Sequence, residues 1–312
     1  MKIIFLFLLF VNISFAQEYS VVKQIYIAVS PGGTSDLISR SLGKVMAESQ
    51  QHPITIINMP GSQATGRSFK DAHKNKQLAA VGISELLVDP ILYDKENLYD
   101  FKSNFVEFIF LGYSPIVITS RNNIKATNIS EFKKYATANT LDLKFSFGGT
   151  INGISGIEFL DSIGLMGRKI PYKGGGMSAV NAVLNEDVDF YFGPLSLSKS
   201  LIRTGKLTAL AINTEYRHLD IPNVATVKEQ IGSSYKAQGY FGVAIPNTID
   251  GVTRKLWREK ILHAAAAVEF KDAMKNYNIV AMEPITGEKY IRWAEANVAF
   301  YKGMIEKHGI TR

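Results

Sequence analysis

The chain has 312 residues, 46% of them hydrophobic, which is enough apolar material for two packed lobes but too long for one core. Lys and Arg number 35 against 28 Asp and Glu, a formal net charge of +7; the basic residues are scattered, with no aromatic-interleaved run, which argues against nucleic acid as a partner. Cysteine is absent, so disulfide scaffolding and thiol chemistry are both excluded.

Residues 1–16 read as a secretory signal. Lys2 supplies the positive start, Ile3 to Val11 the apolar run, and Ser14-Phe15-Ala16 a small-x-small cleavage site before Gln17. The apolar stretch is shorter than the roughly 20 residues a membrane span needs, so the expectation is cleavage after about Ala16 and an exported mature protein that is not membrane-embedded.

Val21 to Val29 then reads as a buried strand, and Pro31-Gly32-Gly33-Thr34-Ser35-Asp36 as a turn into a helix with Ile38, Leu42 and Val45 at i, i+4 and i+7. Ile54 to Ile57 predicts a second strand before the turn Asn58-Met59-Pro60-Gly61-Ser62. Leu78 to Ile83 predicts a third, ending at Ser84-Glu85. Phe108 to Thr119 is extended and broken at Pro115. Ser130 is placed as the N-cap of a helix carrying Phe132 and Tyr135, and Leu143 to Phe147 as a strand running into Gly148-Gly149-Thr150-Ile151-Asn152-Gly153. A helix from Ile154 to Ile163 stops at Gly164, and strand Lys169 to Tyr172 enters Lys173-Gly174-Gly175-Gly176. A helix through Val180 and Leu184 precedes strand Val188 to Phe192, another helix ends at Gly205, and Leu207 to Ile212 is a further strand. Thr226 and Glu229 have capping-box spacing. Gly239 to Ile245 is a last long strand, followed by helices over Gly251 to Val268, Phe270 to Tyr277 and Gly287 to His308. Strands alternating with helices give α/β lobes with mainly parallel sheets.

The two glycine-rich turns, at Gly32-Gly33 and at Gly174-Gly175, each follow an apolar run and each open a helix. Amides at a helix start point outward, and the macrodipole adds about half a positive charge there, so a carboxylate can be held without an arginine. In an open α/β sheet, ligands sit beyond the carboxyl ends of the strands, where these turns fall. The expected site is therefore a cleft between lobes, with hinge crossings near Ser120 and near Gln238.

Other chemistries fit poorly. Gly148 and Gly153 have phosphate-loop spacing, but Ile154 stands where the lysine belongs; Gly174-x-Gly176-x-x-Ala179 is a weak dinucleotide match on a strand of about four residues. There is no Gly-x-Ser-x-Gly elbow, and the histidines lack zinc spacing. The residues thus point to no catalytic group, metal or cofactor.

Ile25 through Asp36, the Asn58 to Ser62 turn, Tyr172-Lys173-Gly174, Val188-Asp189, Gly205 to Ala211 and Pro222 to Val227, in this order, resemble the Bug family, the TctC-like periplasmic binding proteins of tripartite tricarboxylate transporters. The resemblance implies a type II-like, two-lobed fold with residues 17–120 plus 239–312 in one lobe and 121–238 in the other. It implies a periplasmic receptor that takes a small carboxylate to membrane permease subunits. Carried over by position, it implies ligand contacts from Gly32, Gly33, Thr34, Asp36 and Ser84 in the first lobe. The second would offer Gly148, Gly149, Thr150, Asn152, Gly153, Tyr172, Lys173, Gly174 and Gly175. Asp36 is either a cap that complements the helix dipole or a ligand contact, and Lys173 either snorkels to solvent or charges the cleft. Met59, Gln63 and Gly193 depart from the family pattern where the ligand's far end rests, which leaves the ligand's identity open. An exported enzyme acting on a small carboxylate, and a ligand-sensing partner of a sensor kinase, are the alternative readings.

Overall fold

The alternating apolar runs form two separate sheets in the computed structural model, which describes residues 21–29, 31–32, 34–59, 64–92, 104–139, 142–172, 176–232 and 238–310. The expected signal at 1–16, Gly33, Pro60 to Gln63, and Lys173, Gly174 and Gly175 lie outside the described residues. Strands β1 (Gln24–Ile27), β2 (Thr55–Asn58) and β3 (Leu78–Gly82) alternate with helices α1 (Thr34–Gln50) and α2 (Ala64–Lys74). A π-helical turn, Ser84–Val88, then leads into the short α3 (Asp89–Leu92), and β4 (Phe105–Ser114) and β5 (Ile116–Arg121) flank Pro115. Next come α4 (Ile129–Ala138), β6 (Lys144–Phe147), α5 (Thr150–Ser162), β7 (Arg168–Pro171), α6 (Gly176–Leu184) and β8 (Phe190–Pro194). They are followed by α7 (Leu195–Arg203), β9 (Leu207–Asn213) and α8 (Val227–Ile231). The described chain closes with β10 (Gly239–Pro246), α9 (Gly251–Ala266), α10 (Val268–Asn276), β11 (Val280–Ile285) and α11 (Gly287–Lys307).

One sheet has six strands in the order β11-β4-β10-β3-β1-β2, the other five in the order β7-β6-β8-β5-β9. Both are mixed rather than mainly parallel. β1 runs parallel to β2 and β3, and β6 parallel to β7 and β8, as alternating strand-helix units require. β10 is antiparallel to β3 and β4, and β5 to β8 and β9. The reason lies in where the chain changes sheets. It leaves β4 at Ser114 and enters β5 at Ile116, and it enters β10 at Gly239, in each case at the edge where the parallel strands end. A strand that starts at that edge can only run back against its neighbours. The passage occurs at Pro115; Ser120, expected at the crossing, lies inside β5.

Local chemistry explains most element ends. The capping box is present, with Thr226 accepting from the Glu229 amide at 3.0 Å and Glu229 accepting from the Thr226 amide at 2.7 Å. α4 is capped by Asn128, not Ser130: the Asn128 side chain accepts from the Glu131 amide at 2.9 Å, and Glu131 accepts from the Thr127 amide at 2.8 Å. β8 begins at Phe190, later than the Val188 start expected. α2 and β11 were not anticipated, since α2 reads as polar and β11 contains Glu283 and Pro284 at a sheet edge.

Each sheet has its own apolar layer. Phe132, Phe145, Phe159, Phe190 and Phe192 pack together on the five-stranded sheet, and Ile38, Leu42, Met46, Trp257 and Ile261 lie against the six-stranded one. Burying each such side chain contributes about 1.5–3 kcal/mol. A further cluster spans both units, joining Ile151 and Ile154 of α5 to Leu86, Leu87 and Val88 of the π turn and Tyr301 of α11.

Candidate functional site: a cleft between the sheets

Strand register puts the loop-bearing edges of the two sheets toward each other. In the six-stranded sheet Gly239 pairs with Ser114 and Phe241 with Gly82, so β3 ends where β4 ends and β10 begins. In the five-stranded sheet Ile116 pairs with both Pro194 and Asn213, so β8 and β9 end where β5 begins. Pro115 joins those two edges. Between them lies a cavity of about 160 Å³ lined by Ser114, Gly239 and Phe241 from one sheet, Ile116 and Pro194 from the other, and Gly149, Ile151 and Asn152 at the start of α5.

The first glycine turn leaves β1 with Gly32 at φ +87°, a left-handed conformation that glycine adopts without penalty. Asp36 then locks the turn. Its Oδ2 accepts from the Gly32 amide at 2.9 Å and from Arg40 Nε at 2.9 Å, and its Oδ1 accepts from Asn58 Nδ2 at 2.8 Å. Asn58 also donates to the Val29 carbonyl at 3.0 Å and accepts from Arg40 at 3.0 Å, so the ends of β1 and β2 and the first turns of α1 form one network. Asp36 is 1% exposed. Burial opposes its ionisation, but hydrogen bonds from Arg40, Gly32 and Asn58 and the Arg40 charge outweigh that and hold the carboxyl below its ordinary range. Both carboxylate oxygens are engaged by the protein, which makes Asp36 the brace of this turn. Thr34 opens α1 and is half-buried. Ser84 opens the π turn at the end of β3.

In the second unit α5 starts at Thr150, earlier than the Ile154 start expected, so Thr150, Asn152 and Gly153 are helical rather than loop residues. Gly149 is its N-cap, extended at φ −165°, and no side chain caps the helix. The outward amides of Thr150, Ile151 and Asn152 are thereby available to a ligand at the positive end of the helix dipole. Gly153 is not part of that set: its amide donates to the Gly149 carbonyl at 3.1 Å, and a Cβ there would lie 2.7 Å from the Phe147 ring. The residue serves packing of α5 on β6. Gly148 sits between β6 and this helix start. Tyr172 is half-buried at the end of β7, its amide donating to the Phe147 carbonyl at 3.1 Å.

Sequence reasoning missed three residues here. Arg40 was signalled by its i+4 spacing from Asp36. Ser114 carried no signal, since it ends an apolar run. It is 3% exposed, lines the cavity, and its hydroxyl has no hydrogen-bond partner among the described residues. Tyr191 is likewise buried with an unpartnered hydroxyl, and that oxygen takes the space of a Cβ on Gly193, 2.0 Å away, while a Cβ on Gly176 would stand at ordinary contact, 3.4 Å. Burial raises the Tyr191 phenol well above its ordinary range, so it stays protonated.

Among the described residues there is no group of three or more His, Cys, Asp or Glu that could hold a metal, and no helix is long and apolar enough to cross a membrane. What the arrangement offers is main-chain and hydroxyl hydrogen bonding around a small cavity. Two α/β units joined at their loop-bearing edges, with that cavity between them, define the class of bilobal solute-binding proteins.

Comparison with known proteins agrees. The family model described as the tripartite tricarboxylate transporter family receptor, TctC, matches residues 38–310. A UPF0065 protein of Bordetella pertussis is 27% identical over 274 residues, covering 84% of this chain and 81% of its own. A ligand-free TctC solute binding protein from Polaromonas superposes with a TM-score of 0.72 at 21% identity, over 91% of this chain and 98% of its own. The adipate-bound R. palustris Rpa4515 protein superposes with a TM-score of 0.77 at 17% identity, over 93% and 97%. The chain belongs to the TctC family of tripartite tricarboxylate transporter receptors.

Proposed function

We propose that the protein is an extracytoplasmic receptor, exported by residues 1–16, that binds a small carboxylate between its two α/β units and presents it to the permease subunits of a tripartite transporter. The observation that carries this reading is the uncapped start of α5, whose first amides border a cavity lined from both sheets. Hydrogen bonds from such amides to a charged acceptor are about twice as strong as neutral ones and need no side-chain cation. Gly32, Gly33 and Thr34, Ser84, Gly148 to Asn152, and Tyr172 to Gly175 supply the contacts, and Asp36 acts through the shape of the turn it braces. One lobe takes residues 17–114 with 239–312 and the other 116–238, a division at Pro115 rather than at Ser120 because β5 pairs within the five-stranded sheet. Family relatives support the ligand class, since MatC from Rhodopseudomonas palustris is known with bound malate and Rpa4515 with adipate. The function is reversible binding with no covalent step.

The test is a thermal-shift and calorimetric screen of small carboxylates on the chain beginning at Gln17. A ligand at a hundred times its Kd stabilises the native form by about 2.7 kcal/mol, a readily measured rise in Tm. One-to-one binding of a carboxylate with unchanged ligand recovered after long incubation supports a receptor; turnover of the bound acid supports the enzyme reading instead.

A further inference from the structure

A second and larger cavity, of about 470 Å³, shares no lining residue with the cleft. One wall is Lys199 of α7 with the loop Thr214 to Asp220 that follows β9; the other is the stretch of α10 bearing Lys271 and Lys275, with Ile279 and Val280 at the entry to β11. The walls come from different units, so an occupant bridges them. The volume falls in the range of small-molecule sites, about 300–1,000 Å³.

Its charge is unbalanced in one place. Both acids on the lining are answered by the protein: Asp220 accepts from Lys199 at 3.1 Å, and Glu215 from Lys228 at 2.5 Å. Arg217 is held by Glu229 at 2.9 Å. Lys271 and Lys275 make no ion pair among the described residues, and both are exposed. They stand at i and i+4, where like charges face each other and repel, so an anion placed between them is drawn by both.

The opposite loop is ordered before anything binds. Thr214 Oγ1 donates to the Tyr216 carbonyl at 2.6 Å, the Asp220 amide to His218 Nδ1 at 3.2 Å, and the Ile221 amide to the His218 carbonyl at 3.0 Å. Yet this loop holds Tyr216 81% and Leu219 80% exposed, beside a floor of buried Ile279 and half-buried Val280. Large apolar side chains fixed in water at the rim of a groove mark a surface that an apolar body covers.

We propose that this groove is a second binding site, specific for an organic anion with an apolar body of about two fused rings. The carboxylate or sulfonate lies between Lys271 and Lys275, and the body rests on Ile279 and Val280 under Tyr216 and Leu219. The cavity has about three times the volume of engineered ones of about 150 Å³ that hold a benzene ring, which admits such a body. This inference is independent of the receptor reading, since it stands on a different set of residues.

Calorimetric titration of the chain beginning at Gln17 with 2-naphthoate and its neutral amide, 2-naphthamide, tests this. The acid should bind one-to-one, and the amide at least about tenfold more weakly for want of the charge. Replacing Lys271 and Lys275 together with Ala should lower affinity for 2-naphthoate at least about tenfold, and the exposed helix positions tolerate alanine without loss of folding. Gly149→Val, at the cleft, should leave that affinity within about twofold. If the double variant binds as tightly as the wild type, if the amide binds as well as the acid, or if the wild type binds neither, the proposal is wrong and the receptor reading is untouched. If Gly149→Val abolishes binding, the anion sits in the cleft, which overturns the second site and supports the receptor.

Discussion

Asn278, which follows α10, donates its side-chain amide to the carboxylate of Asp220 in the loop after β9, tying the layer on the six-stranded sheet to the five-stranded one. Lys199 Nζ joins the same Asp220 oxygen at 3.1 Å. A second tie links Lys307 on α11 to Asp161 on α5 at 2.5 Å. Burial opposes ionisation of Asp220, but hydrogen bonds from Lys199 and Asn278 prevail and hold its carboxyl below the ordinary range. The first tie therefore persists to lower pH than an unpartnered carboxylate would allow. Replacing both Asn278 and Lys307 with Ala should shift the ligand-free protein toward an open form, lowering ligand affinity severalfold because the competent state is less populated. X-ray scattering checks this: an unchanged radius of gyration in the double variant would show that the ties do not set how the two units sit together.

Asp36 makes an acid-dependent contribution. Its folded-state pKa lies below the ordinary value of 3.8, so its stabilisation is present above that pH and is lost as pH falls through the folded value. Asp36→Ala leaves the Gly32 amide, Asn58 and Arg40 without their acceptor and should cost about 2–3 kcal/mol at neutral pH. Asp36→Asn should cost less, and its stability curve should close on that of the wild type as pH falls from the ordinary value of 3.8 through the lower folded value. Urea unfolding between neutral and strongly acid pH measures both, and parallel curves for wild type and Asp36→Asn would refute the assignment.

Glu107 sits 5% exposed in β4, accepting from Arg258 Nη2 at 2.6 Å and from Arg258 Nε, and from the Thr286 hydroxyl at 2.9 Å. The arginine ties α9 to the sheet, and Thr286 anchors the start of α11. Arg258→Ala should destabilise by about 1–3 kcal/mol, less than for a fully buried pair because the Arg258 side chain is 41% exposed. Glu107→Gln, which keeps acceptor capacity without the charge, should be milder. Equal losses in chemical denaturation for the two variants would contradict this ordering.

Two glycines of α5 should behave oppositely. A Cβ on Gly156 would lie 2.4 Å from the Phe145 ring, so Gly156→Ala should cost about 1–3 kcal/mol by overpacking. At Gly149 nothing lies within 4 Å of an added Cβ and the backbone is extended, so Gly149→Val meets no clash and should cost only about 1 kcal/mol, the margin by which valine is poorer than glycine at an N-cap. Its side chain would nevertheless stand at the cavity, and ligand affinity should fall about tenfold or more. Retained affinity in Gly149→Val, measured by calorimetry, would move the ligand away from the start of α5.

Much of this architecture is set by short-range chemistry and is readable along the chain. Apolar runs locate β2, β3 and β9 to within a residue and place β1 inside the longer Val21 to Val29 run, Gly32 supplies the left-handed turn before α1, and Thr226 with Glu229 caps α8 as their spacing requires. Those features depend on atoms a few residues apart, as does the family likeness carried by ordered local motifs. Strand direction is different. β5 and β10 run against their neighbours because the chain enters each sheet from the other one, a constraint that neither strand's own residues express. The same holds for single side chains: Gly153 is a packing glycine because Phe147 lies across from it, and Asp36 is a brace because Asn58 comes from another strand. Ser114 becomes a cavity residue only when Gly149, Pro194 and Phe241 converge around it. Local propensity is a property of sequence, whereas partnership and enclosure arise from contacts between distant segments, and only the assembled fold decides those.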